Sequence, residues 1–178
     1  VDSSYMATVD LDAYELVIIP SVQDGNFYNN WNNSFARFEE YVAEGGALWL
    51  SSTTDYSMSL PGGVAFQFAG DNYNDVLLPN HPWVANVPGQ IYGSSASHNY
   101  FTNLFPGSMA VTESTSYGEA TLVDYQIGAG RILLTGQPLE HAWWYNWDAA
   151  PILENSLMDM YVWEPGDLTW LMVEPISG

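Results

Sequence analysis

Apolar residues in this chain gather in short runs rather than long ones. Residues 14–21 (YELVIIPS) form a continuous apolar stretch with β-branched members, closed by Pro20, as expected of a strand buried on both faces. Residues 47–51 (ALWLS) and 131–135 (RILLT) repeat the pattern, the latter after a tight Gly128-Ala129-Gly130 turn. Between the first two runs the period changes. Phe35, Phe38, Tyr41 and Val42 line one stripe of a helix over residues 34–44, with Asn33 or Ser34 as cap and Gly45 where a left-handed C-cap belongs. Strand, helix and strand in this order predict a right-handed βαβ unit.

The Asn-, Asp- and Gly-rich residues 22–33 read as a loop. Residues 53–103, rich in Gly, Asn, Pro and Ser, read as loops with short strands and one short helix. Residues 110–113 and 120–125 are β-like. An aromatic loop over 136–148 precedes a last helix over 149–161, with Asp148 as cap, Pro151 in the first turn, and Leu153, Leu157, Met160 and Tyr161 facing the core.

At 178 residues with 47% hydrophobic and 15% aromatic content, the chain suits one folded domain. No apolar run approaches the ~20 residues of a membrane helix, so membrane insertion is not expected. Charge changes the picture most. Two Arg (Arg37 and Arg131), no Lys and 21 acidic residues leave a formal charge of −19. Nucleic-acid binding needs cations to displace counterions from phosphate, so that class is excluded. Excess carboxylate serves solubility or attracts Ca²⁺. Without cysteine there is neither disulfide nor thiol chemistry. With abundant Asn, Ser, Tyr and Trp, the composition points to an extracellular or cell-surface protein of a bacterium or archaeon.

The tail from Asp167 (DLTWLMVEPISG) resembles the opening strand of Ig-like β-sandwich modules. That places a domain over residues 1–164 and the linker and start of a following module over 165–178, with other modules of the same polypeptide as partners.

Taken together, YELVIIPS, FARFEEYVAEGGALWLSS, NHPWVANVP, GSSASHNYF and GAGRILLTG followed by Glu-His resemble the class I glutamine amidotransferase-like superfamily, in its divergent Cys-less form, over residues 11–161. The resemblance implies an α/β fold, a flavodoxin-like three-layer sandwich with a mainly parallel sheet. It places the nucleophile turn at Ser51 and Ser52 and the acid-base loop at Glu140 and His141. Cysteine is missing, no glycine flanks the serines, and Glu-His replaces His-x-Glu. Amide hydrolysis is therefore unsupported, and what remains is a pocket at the C-terminal edge of the sheet.

Two functional readings follow. The first is a non-catalytic or degenerate module acting in interaction, or in carbohydrate or peptide contact through Trp143, Trp144, Tyr145 and Trp147. The second is a hydrolase using Ser51 or Ser52 with His141 and Glu140. His98 either sits beside His141, for acid-base work or a metal, or bonds its own loop; His81, before Pro82, is structural. No cofactor is expected except Ca²⁺, for which Asp71, Asn72, Asn74 and Asp75 are the candidate ligands. Asp24, Asn26, Asn29 and Asn30 form a weaker set of the same kind. The aromatic run either seals the sheet edge or forms a platform, and sealing is the expectation, because the domain must close that edge without a disulfide.

Overall fold

The structure is a computed structural model. It describes residues 2–161 and the strand Trp170–Met172. Eight strands form one sheet: β1 (Leu16–Ile19), β2 (Ala47–Ser51), β3 (Ala65–Val76), β4 (Gln90–Thr102), β5 (Met109–Ser114), β6 (Ala120–Ile127), β7 (Gly130–Thr135) and β8 (Trp170–Met172). Their spatial order is β4-β3-β5-β6-β7-β2-β1-β8. Among the described residues three α-helices accompany them: α1 (Gly25–Ala43), α2 (Leu139–Trp144) and α3 (Ala150–Met160).

The three apolar runs are adjacent and parallel as expected, with β2 between β1 and β7. Alternation sends their side chains to both faces. Val17, Ile19, Leu48, Leu50, Ile132 and Leu134 meet Phe27, Trp31 and Phe38 of α1. Leu16, Ile18, Trp49 and Leu133 pack with Ile152 and Met160 of α3, where the Trp49 indole donates to Ser156 Oγ at 3.1 Å. This half is covered on both sides, as parallel strands require.

The mainly parallel flavodoxin-like sandwich is nevertheless overturned. Three strand pairings are parallel and five are antiparallel. The chain between β2 and β7 contributes four strands and no α-helix, so it makes no parallel crossover. Its strands β3, β4, β5 and β6 pair antiparallel, and β4 meets β6 again at Phe101 and Ala120, closing the four into a ring. The likeness to amidotransferases falls with the sheet that it implied.

The interior of that ring is polar. Asp71, Asn74, Ser97, Thr112, Ser114, Thr121 and Gln137 are all buried. They bond one another in part: Ser114 Oγ donates to Asp71 at 2.6 Å, Ser97 Oγ to Asn74 at 3.0 Å, and Gln137 Nε2 to Thr112 Oγ1 at 2.6 Å, while Thr112 and Thr121 pair at 2.8 Å; Asn74 Nδ2 and Gln137 Oε1 are buried without a protein partner among the described residues. Each of these bonds offsets part of the cost of burying such groups.

Two helix starts also differ from expectation. The first helix begins at Gly25, because the Asp24 carboxylate accepts the Phe27 N–H at 2.8 Å and Phe27, Tyr28 and Trp31 extend the buried stripe. At α3 the cap position is Ala149, with no side-chain bond. Asp148 instead accepts the Tyr92 N–H at 2.9 Å. Of the tail, Trp170–Met172 pairs in parallel with β1. The boundary near residue 164 and the rest of the segment that resembles an Ig-like module lie outside the described residues.

The two arginines are both committed internally. Arg37 donates to the carbonyls of Met6 and Val9. Arg131, on β7, grips Asp124 of β6 through Nε (3.0 Å) and Nη2 (2.8 Å) and reaches Asp159 of α3 at 2.8 Å. His81 joins from the other side, its Nε2 3.1 Å from Asp124, while its Nδ1 accepts the Trp83 N–H, which places the imidazole proton on Nε2. As expected, this histidine is structural. Burial works to raise the Asp124 pKa, but the bonds from His81 and Arg131 outweigh it and hold the carboxyl below the usual range. A carboxyl depressed in the folded state contributes stability above its unfolded pKa and loses it as pH falls through the folded value. Urea titrations at several pH values should therefore show Asp124→Asn costing about 3–5 kcal/mol near neutrality. The gap from the parent should narrow as pH falls through the acid range; a constant gap would refute the linkage.

Candidate functional site

β1, β2 and β7 all end at one edge of the sheet, the edge where parallel strands present ligand-binding loops. Ser51 and Ser52 lie there but face inward, both fully buried. Ser51 Oγ pairs with Thr53 Oγ1 at 3.1 Å, and Ser52 Oγ donates to the Thr135 carbonyl at 3.4 Å. Asn99 Nδ2 staples the turn by donating to the carbonyls of Ser52 and Thr54. Neither serine hydroxyl bonds a histidine, so the constellation that a serine hydrolase needs is not assembled.

Glu140 and His141 diverge, as neighbours on one helical turn must. Glu140 turns inward: its Oε1 accepts the Ser21 N–H at 2.8 Å, and its buried Oε2 has no protein partner. Nearby, the Tyr28 phenol accepts the Gln23 N–H, and its pKa is raised, chiefly by burial and further by the Glu140 charge. His141 turns outward into the aromatic loop. His98 is half-buried and lies within electrostatic reach of both His141 and Asp55. Its pKa is lowered, first by burial and then by His141, with Asp55 opposing. Of the two readings of His98, this interaction agrees with the one that puts it near His141. Asp55, Tyr28 and Gln23 belong to the same edge and were missed; Asp55 comes three residues after Ser52, which was the one available signal.

The aromatic loop does not seal the edge. Helix α2 buries Leu139 and Ala142 and leaves Trp143, Trp144 and Tyr145 49%, 75% and 56% exposed. Tyr145 and Trp147 stack at 5.4 Å, nearly parallel at 21°, and both rings contact His141. Trp143 and Trp147 flank a cleft of about 550 Å³, with Asp148 and Glu154 in its wall. Glu154 Oε1 fixes the Trp143 indole at 2.8 Å, and Asp148 Oδ2 holds the Tyr92 N–H. The second oxygen of each carboxylate makes no hydrogen bond among the described residues.

The candidate calcium ligands are occupied by protein donors. Asp71 accepts from Tyr73 N, Ser114 Oγ and Ser116 N, Asn72 from Ser95 N, Asn74 from Ser97 Oγ, and Asp75 from Gln90 and Thr115. Asp24 caps α1. No group of three or more His, Asp or Glu side chains placed to hold a metal occurs among the described residues. No described helix is long and apolar enough to cross a membrane.

No family model matches the chain. An uncharacterized protein of Clostridium acetobutylicum is 22% identical in an alignment 163 residues long that covers 88% of this chain, and the chain spans 17% of that relative's length. Among solved structures, a cytoplasmic protein of Salmonella typhimurium LT2 superposes with TM-score 0.61 at 13% identity, over 89% of this chain and 79% of its own. An exo-β-1,4-mannosidase from Opitutaceae bacterium strain TAV5 matches with TM-score 0.54 at 13% identity, over 85% of this chain and 27% of its own. At these identities the structural matches establish a shared fold.

The electrostatic grouping of His98 is open to direct titration. Ring-proton NMR should place the His98 pKa below the ordinary histidine value. His141→Ala should raise it and Asp55→Asn should lower it. A His98 titration indifferent to both substitutions would remove these residues from a common site.

Proposed function

We propose that this chain is a non-catalytic module of a larger exported protein and that it contacts carbohydrate through the cleft between Trp143 and Trp147. The observation that carries this reading is the exposure of Trp143, Trp144 and Tyr145 beside a cleft walled by two carboxylates with spare acceptor oxygens. Indole and phenol faces stack on the C–H faces of sugar rings, and carboxylate oxygens accept sugar hydroxyls; the pairing of flat apolar surface with fixed acceptors suits a sugar. Holding Trp143 through Glu154 orients the ring before binding and lowers the entropy lost on contact.

The module reading is supported by two of the chains it matches, of which it spans 17% in the Clostridium relative and 27% in the mannosidase, whereas it spans 79% of the Salmonella protein. The buried serine hydroxyls weigh against hydrolysis and in favour of binding. Export is supported by composition: no cysteine, no lysine and a surface dominated by carboxylate.

Calorimetry against neutral oligosaccharides tests the reading. Trp143→Ala and Tyr145→Ala should each weaken binding about tenfold or more, a loss of roughly 1–2 kcal/mol. Both residues are half-exposed or more, so the melting temperature should stay nearly unchanged. A lowered melting temperature in variants that still fold and keep their affinity would assign the rings to structure instead.

A further inference from the structure

Strand β3 is longer than its partner on one side. β4 pairs with it from Ala65 to Asp75, but β5 reaches only Asn74–Val76. The turn after β5 covers the next stretch, where the Thr115 N–H bonds the Tyr73 carbonyl and the Ser116 N–H the Asp71 carboxylate. Before Asp71, no strand among the described residues pairs with that side of β3. The direction of its backbone groups follows from β4. Phe101 pairs with Ala120 of β6, and the Asn99 N–H goes to the Gly136 carbonyl, so both turn away from β3. Their ladder partners, Phe66 and Phe68, therefore turn their N–H and C=O groups away from β4, toward the open side. Gln67, between them, points its groups to Tyr100.

Edges of this kind are usually blunted by charge or proline. Residues 64–69 (VAFQFA) carry neither, in a chain of net charge −19, and the register shifts begin only past Phe68. Phe68 is 64% exposed. The start of the edge forms one side of a groove of about 810 Å³, completed by Phe35 and Glu39 of α1 and by the loop from Asp55 to Leu60. Glu39 and Asp55 are the charged residues of the groove among those described, and both are acidic. Glu39 uses only Oε1, on the Gly62 N–H at 2.9 Å, which leaves Oε2 without a hydrogen bond among the described residues.

We propose that the open edge of β3 docks an extended peptide segment of a partner protein, rich in lysine or arginine, which adds to the sheet as a further strand. The site is separate from the aromatic cleft and independent of the carbohydrate reading. The peptide backbone bonds Phe66 and Phe68, alternate apolar side chains enter the groove beside Phe35, and cationic side chains meet Glu39 and Asp55. A second copy of the chain suits the edge less well. It brings another −19 and the same two carboxylates, while its arginines are held in internal bonds.

The test titrates the intact chain with a synthetic peptide of about eight residues that alternates valine with lysine and threonine. Affinity is read by fluorescence anisotropy and pairing by amide hydrogen exchange. On binding, exchange at the Phe66 and Phe68 amides should slow, while that of Gln67, already paired with β4, should stay unchanged. A version with glutamate for lysine should bind at least about tenfold more weakly. Of two versions N-methylated at alternate residues, one in each register, only the one methylated on the paired side should lose affinity, by about tenfold. Glu39→Gln and Asp55→Asn should each weaken binding about two- to fivefold. Phe68→Pro removes an outward N–H at an edge position that tolerates proline, and should cost about tenfold, whereas Phe68→Ala keeps that N–H and most of the affinity. Should the proline variant fail to fold, the N-methylated pair on the parent protein decides the same point. A peptide that binds without slowing Phe66 and Phe68, or that tolerates methylation in both registers, overturns strand addition. Equal affinity for the lysine and glutamate versions overturns the charge argument, and no binding of the lysine version overturns the docking site. Slow exchange at Phe66 and Phe68 without peptide, together with dimers in sedimentation, assigns the edge to a second copy and overturns the peptide reading.

Discussion

Strand β7 is the constraint on which the rest of this fold depends. It pairs in parallel with β2 on one side and antiparallel with β6 on the other, so it joins two different kinds of sheet. Its first residue, Gly130, runs so close to the end of α1 that a Cβ there would lie 2.0 Å from the Val42 carbonyl oxygen. Backbone cannot yield to such a clash, so only glycine fits. Its second residue, Arg131, then binds β6 through Asp124 and α3 through Asp159, stacking over Trp83 at 5.2 Å. Its far end leads through Gly136, which touches the Asn99 backbone, into α2 and the aromatic loop. The position of the candidate site is therefore set by how β7 is held.

Charge sharpens that dependence. With 21 carboxylates and two guanidinium groups, each cation counts. Arg37 ties the N-terminal turns to α1, and Arg131 ties the two sheet halves to α3. The remaining surface is left acidic, which favours solubility and neutral ligands over anionic ones. Replacing either arginine changes a junction in the fold as well as a charge.

The parallel half was legible because its cost is met by burial. YELVIIPS, ALWLS and RILLT are apolar on both faces, and helices must cover both faces of such strands. The antiparallel ring was legible only in part, as the β-like runs 110–113 and 120–125 that form β5 and β6, and its remainder was lost for the opposite reason. Its interior is built from Asp71, Asn74, Ser97, Thr112 and Thr121, whose hydrogen bonds to one another replace apolar contact. Such residues read as loop when only hydrophobic period is followed, and the ladder of β3 and β4 also carries register shifts around Gly70, at φ 59°, that break the alternation. The family resemblance inherited that error, because it rested on the apolar runs and extended their parallel order to the whole chain. At the site, the pattern of residues left open whether His98 lies near His141 or bonds its own loop, and the outward turn of the tryptophans was the less expected of two readings. Leu139 and Ala142 fill the space under α2 and leave the larger rings outside.

The tryptophans themselves provide the most direct measurement of the central claim, that ligand is met at the outward-turned loop on the edge β7 sets. Indole N–H resonances in a ¹H–¹⁵N correlation spectrum report each ring separately. Trp31, Trp49 and Trp83 are fully buried and serve as internal references. On titration with a neutral β-1,4-linked hexasaccharide, the signals of Trp143 and Trp147 should shift progressively and saturate while the three buried indoles stay still. Shifts spread over the buried indoles, or saturating shifts confined to backbone amides of the loop around Tyr56 and Met58 with Trp143 and Trp147 unmoved, would contradict the account.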